Sequence, residues 1–171
     1  MVYFLAWTLF TVILLGFTLA RSHPYRFSRF LAFDSILSLI FLNADAWFID
    51  PFSVFQIVSW VCLIGSIYLV SRGFFLIKTK GNPEGDFEDT TTLITGGLYK
   101  HIRHPLYTSL ILFSLGAFFK NLSLLGIGLV ITTIIGVYIT ARIEERHNLV
   151  RFGDAYQEYM DQTKRFIPKI F

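Results

Sequence analysis

The sequence predicts an all-α, polytopic integral membrane protein of about five transmembrane helices, ending in a helical hairpin and an amphipathic tail. Three observations predict it. Of the 171 residues, 54% are hydrophobic and only 16% are charged, which excludes a soluble globular domain. Five mostly apolar stretches succeed one another, and a hydrocarbon core roughly 30 Å thick asks for about 20 such residues per helix. The charges gather in the connections between these stretches.

The first span, Val2 to Ala20, carries no charge. It lacks a positive n-region and further spans come after it, so it reads as a retained helix. The second covers residues 30–49 and includes Asp34, Asn43 and Asp45; a carboxylate there is costly unless paired or facing water. Asp50-Pro51 turns the chain into the third span, 52–71. Residues 78–97 form one long polar connection, with Gly81, Pro83 and Gly85 ahead of Asp86, Glu88 and Asp89. It reads as a solvated loop, or as a lid over the segment that begins at its C-terminal end. The fourth span, 106–119, is short for a crossing, which points to a helix start buried in protein or facing a cavity. Asn121 leaves almost no loop before the fifth span, 122–141, so these two form the hairpin. From Phe152 the tail alternates aromatic and charged residues, among them Tyr156, Tyr159, Lys164, Arg165 and Phe166. The pattern suits an amphipathic segment at a membrane surface. The chain reads as one membrane domain, with a three-helix part over 1–77 and the loop, hairpin and tail over 78–171.

Positive charge sets the expected orientation. Of the 15 Lys and Arg, three lie between the first two spans, five between the third and fourth, and six after the fifth; only Lys120 lies at the hairpin tip. By the positive-inside rule the N-terminus faces outward and the C-terminus the cytosol, in the inner or plasma membrane if the cell is prokaryotic. The net charge of +3 then belongs to loops facing anionic headgroups and gives no reason to expect nucleic acid. A single Cys62 excludes an internal disulfide and cysteine-based metal sites; no metal centre is expected.

Chemistry concentrates in residues 90–107, TTTLITGGLYKHIRHPLY. Gly96 and Gly97 free the backbone, and Pro105 stands where a helix begins. A first helical turn offers unpaired N–H groups and a positive dipole end, with Lys100, Arg103 and His104 alongside. The hairpin returns Glu144 and Glu145 to the same membrane face. Plainer roles exist for each: His104 as a cap, Arg103 as a snorkelling anchor, the acids as intrahelical partners of Arg142 and Arg146. His101 reads as surface.

The ordered set of Gly97, Tyr99, Arg103-His104-Pro105 and Tyr107, an apolar hairpin, Glu144-Glu145 and FGDAYQEYMDQTKRFIP resembles the isoprenylcysteine carboxyl methyltransferase family and its microbial relatives, over about residues 86–170. The resemblance implies an S-adenosylmethionine-dependent methyltransferase acting on the carboxylate of a lipophilic, isoprenylcysteine-like acceptor within membrane lipid. It implies cofactor binding by Gly97, Tyr99, Arg103, His104, Tyr107, Glu144 and Glu145, with Arg103 and Glu145 at the reaction. The division of roles between the acids, the acceptor and the oligomeric state stay open. A phospholipid N-methyltransferase would keep the cofactor site and change the acceptor. Membrane sterol-type reductases share an Arg-His-Pro-x-Tyr segment and use NADPH, but lack the paired glutamates. A non-catalytic carrier would need a polar path across the bilayer, and the third and fifth spans have little beyond Ser, Thr and Gln56. Asp34 is a further candidate for contact with the acceptor, and Asp45 a weaker one.

Overall fold

The computed structural model describes residues 1–20, 23–82 and 90–170. Arg21, Pro83, Gly85, Asp86, Glu88 and Asp89 lie outside the described residues, and with them the middle of the 78–97 connection read as a loop or lid. The described chain forms six α-helices: α1 (Val2–Ala20), α2 (Arg26–Leu42), α3 (Val54–Lys80), α4 (Pro105–Phe118), α5 (Leu124–Phe152) and α6 (Asp154–Gln162), with short 3-10 turns at Ala44–Ala46 and Gly97–Lys100. The helices α1, α3 and α5 are long and apolar enough to cross a membrane, while α4 is apolar but shorter. This is a helical integral membrane protein.

Polar side chains fix the register of the packed helices. Trp7 Nε1 donates to Ser38 Oγ at 3.0 Å and Thr11 Oγ1 to Asp34 Oδ1 at 2.7 Å, tying α1 to α2. Ser28 and Thr140 hydroxyls meet at 2.8 Å between α2 and α5. Ser59 Oγ donates to the Gly116 carbonyl at 2.6 Å between α3 and α4. Glycine permits two of these approaches. A Cβ on Gly116 would stand 2.7 Å from Leu63 Cγ, and one on Gly136 would stand 2.6 Å from the Ser28 carbonyl oxygen.

Several helix ends differ from the sequence expectation, each for a physical reason. The second helix begins at Arg26 and stops at Leu42, well before residue 49. Asn43 terminates it by donating from Nδ2 to the Ala117 carbonyl at 2.8 Å, a long-range bond that no local pattern announces. Its acids are accounted for: Asp34 accepts from Thr11, and Asp45 accepts from Tyr3 Oη at 3.0 Å. The third helix runs nine residues past 71, to Lys80, and its 27 residues make about 40 Å at 1.5 Å each. The fifth, with 29 residues, also runs past 141. Both exceed a hydrocarbon core of roughly 30 Å, and their surplus turns stand on the same face. The long ends therefore form a platform beside the start of α4.

The opposite face is closed by a different device. Lys120, in the α4–α5 turn, is buried; its Nζ donates to Gln56 Oε1 at 2.9 Å and stands 3.6 Å from the centroid of Trp60. Gln56 in turn donates to the Ala46 carbonyl at 2.8 Å. Thus the one lysine at the hairpin tip is held by aromatic and amide partners within the protein.

Candidate functional site

The platform carries the site. Gly97 adopts φ +65 and starts the 3-10 turn; a Cβ there would press on Leu76 Cδ1 at 2.9 Å, so glycine lets the loop lie close on α3. The turn buries Tyr99 in a cluster with Leu76, Ile77, Ile94, Tyr156 and Tyr159. Pro105 then opens α4 at its first helical position, leaving Arg103 and His104 just before the helix.

These two residues are held by the tail. Arg103 N donates to the Lys164 carbonyl at 2.8 Å and His104 N to the Arg165 carbonyl at 3.1 Å, a short parallel bridge between two distant segments. The Arg103 guanidinium donates to the carbonyls of Met160 at 3.0 Å and Thr163 at 2.6 Å. Tyr159 Oη donates to the Tyr99 carbonyl at 2.7 Å, and Thr108 Oγ1 to that of Phe166 at 3.2 Å. The amphipathic tail is therefore folded onto the protein, with Tyr156 and Tyr159 buried.

Glu145 is the hub of this arrangement. Only 3% exposed, its carboxylate accepts from Arg103 Nε at 3.0 Å and Arg165 Nη2 at 2.7 Å, and lies 3.3 Å from His104 Nε2. Two arginines offset the desolvation cost of one buried carboxylate. Both acids sit about two turns before the end of α5 at Phe152, because the helix runs on past residue 141, the expected end of the fifth span. They escape the negative dipole end.

Glu144 faces elsewhere. It lines a cavity of about 530 Å³ together with Tyr99, Arg103, His104, Tyr107, Asn148, Tyr156 and Tyr159, a volume in the range of small-molecule sites, about 300–1,000 Å³. Its Oε2 lies 3.7 Å from His104 Nδ1. His104 thus bridges the two glutamates, one turned to the cavity and one away from it. Burial lifts the Tyr156 hydroxyl from 10.0 to about 12, and raises Tyr99 and Tyr159 as well, so these phenols stay neutral.

The other end of the cavity is apolar. Leu14 and Phe17 of α1, Phe30 and Phe33 of α2, Val70 and Phe74 of α3, and Leu106 and Leu110 of α4 form its walls. Since α1 packs on α2 and α3 on α4, the cavity lies between the two pairs. Phe17 and Phe74 line it and are exposed.

Of the residues singled out in the sequence, Tyr99, Arg103, His104, Tyr107 and Glu144 meet at the cavity. Gly97 shapes the turn beneath it, Glu145 lies behind it, and Lys100 and His101 are exposed. Asp34 faces α1 and is not at the cavity wall. Sequence reading missed Asn148 and Arg165. Asn148 was findable, four residues after Glu144 on one helical face; Arg165 reaches Glu145 through a chain reversal that leaves no periodic signal. Among the described residues no group of His, Cys, Asp or Glu is arranged to hold a metal.

The donor set fits a nucleoside carrying amino-acid charges: a carboxylate and an amide for hydroxyls or an ammonium, an arginine for a carboxylate, and tyrosine rings for a base or a cation. A family model described as "Phospholipid methyltransferase" matches residues 54–155, from α3 into α6. No curated protein and no solved structure matches the chain.

Proposed function

The chain belongs to the phospholipid methyltransferase family, and from that premise we propose that this membrane methyltransferase methylates a carboxylate on a lipophilic acceptor, drawing the methyl group from S-adenosylmethionine, the donor this family generally uses. The observation that carries the reading is the two-ended cavity, polar at Glu144, Asn148, Arg103 and His104 and apolar at α1 to α4. A polar donor and a greasy acceptor need such a chamber to meet.

The bound donor would supply a methyl carbon on a positive sulfur. On transfer an acceptor carboxylate oxygen would gain the new O–C bond as the C–S bond breaks, its electron pair staying on sulfur as a neutral thioether. A carboxylate is already ionised at neutral pH, so no base is required. What the chain provides is alignment, worth up to roughly 7–11 kcal/mol in favourable systems, and a dry approach. Glu144 and Asn148 receive ribose hydroxyls or the ammonium, Arg103 the donor's carboxylate, and Tyr99, Tyr156 and Tyr159 offer aromatic faces. Tyr107 closes the cavity beside His104. Glu145 is better read as a positioning residue, since it orients Arg103, His104 and Arg165 from behind the wall. The acceptor enters sideways from lipid, between the α1–α2 and α3–α4 pairs. The face bearing the site is cytosolic, by the distribution of Lys and Arg.

The charge of the cavity supports an anionic acceptor, a carboxylate among them: its described walls contain Arg26, Arg29 and Arg103 against the single acid Glu144. The isoprenylcysteine resemblance agrees with it. The family match favours a second reading, N-methylation of a phospholipid amine, in which Glu144 or His104 would take up the proton released on nitrogen. Incubation with labelled S-adenosylmethionine and either N-acetyl-S-farnesylcysteine or phosphatidylethanolamine in mixed micelles separates them. Base-labile methyl ester on the first supports O-methylation; base-stable label on the second would replace it with N-methylation.

A further inference from the structure

Helix α2 lies outside the segment matched by the family model, yet it delivers the remaining charge to the cavity. Arg26 and Arg29 line it, with His23 just ahead of the helix. Arg29 is held in place rather than left to snorkel: its guanidinium carbon stands 4.5 Å from the centroid of Tyr25, and its Nη2 donates to Tyr107 Oη at 3.2 Å. Tyr25 is itself buried and stacked on His23 at 5.2 Å, with the ring of His147 at 6.4 Å. Tyr107 stacks on His104 at 5.5 Å. Arg29 is therefore connected through one aromatic ring to the polar end, while Phe30 and Phe33, next on the same helix, belong to the apolar end. A fixed guanidinium at the seam between polar and greasy walls matches an amphiphile with an anionic group at the head of a long chain.

We propose that Arg29, steadied by Tyr25 and Tyr107 and seconded by Arg26, receives an anionic group of the acceptor, a carboxylate or a phosphate diester borne on an apolar chain, and so decides which lipids are accepted. That the bound lipid is a methyl acceptor rests on the methyltransferase reading, but the anion site itself does not. The cofactor residues lie on α4, α5 and α6 and the turn before α4; the selecting residue lies on α2, in the part of the chain where the family match has not begun.

The test is equilibrium binding to the detergent-purified full chain. The probes are N-acetyl-S-farnesylcysteine against its neutral methyl ester, and lysophosphatidylglycerol against neutral monoolein. Wild type should prefer the anionic member of at least one pair by about tenfold, the scale of one charge-assisted hydrogen bond, and the pair that shows it identifies carboxylate or phosphate. Arg29→Gln should erase the preference while S-adenosylhomocysteine affinity, measured on the same samples, stays within about twofold. Arg29→Met serves if the glutamine variant does not fold. Equal binding within both pairs in wild type overturns the proposal, and so does a preference that survives loss of the arginine. An Arg29-dependent preference in a protein that does not bind S-adenosylhomocysteine would keep the anion site and remove the cofactor reading instead.

Discussion

Glu144 and Glu145 are adjacent in sequence and opposite in environment, and the working of the site turns on that difference. Glu145 satisfies two arginines and lies against His104 in a nearly water-free position. Glu145→Gln leaves both guanidiniums without their counter-charge, a change that costs about 3–5 kcal/mol in buried pairs; a clear drop in the thermal midpoint of the solubilised protein is expected. Glu144→Gln removes a cavity carboxylate and leaves the two arginine pairs of Glu145 in place. Its midpoint should stay near wild type while S-adenosylhomocysteine affinity falls about tenfold or more in calorimetry. The pair itself was legible in the sequence, as was its meeting with Arg103 and His104, because hairpin topology alone returns residue 144 to the face of residue 104. The division of labour was not: it depends on Arg165, which arrives from a tail that reverses direction after α5.

At the level of elements, the tail is the clamp of the site and the glycine contacts are its foundation. Residues 160–166 grip Arg103, His104 and Thr108 through backbone and side-chain bonds. Deleting the chain after Gln162 should abolish S-adenosylhomocysteine binding while circular dichroism retains the helicity of α1 to α5. Gly136→Val places bulk against the Ser28 carbonyl, and overpacking of this kind costs about 1–3 kcal/mol, read as a lowered midpoint. The tail also predicts a pH limit. Tyr156 is raised from 10.0 to about 12 by burial, so the folded form holds its proton where the unfolded form has released it. Its contribution is complete below pH 10 and is lost between about pH 10 and 12; Tyr156→Phe should flatten the fall in midpoint over that window. The number and order of apolar segments could be read from composition, and the all-α class with them. Helix ends could not, because Asn43 stops α2 through a bond to Ala117, and α3 and α5 continue beyond their expected spans on tertiary contacts rather than hydropathy.

Taken whole, the molecule carries a chamber walled by aromatic and aliphatic residues of α1 to α4 and capped by the loop, the ends of α3 and α5, and the tail. Lys100 and Asn121 are exposed at opposite ends of α4, so they report orientation. With Cys62 replaced by alanine, an impermeant maleimide should label Asn121→Cys in intact cells and Lys100→Cys only after lysis; the reverse pattern would turn the site outward. Everything proposed for the chemistry depends on Arg103, His104 and Glu144 holding S-adenosylmethionine in the polar half of this chamber. The decisive experiment is calorimetric titration of S-adenosylhomocysteine into the purified protein, with NADPH in parallel and Glu144→Gln as control. Micromolar binding of the homocysteine product, weakened in the variant, is expected, and none of NADPH. Binding of NADPH alone, or of neither by a folded protein, would show that the chamber holds something else.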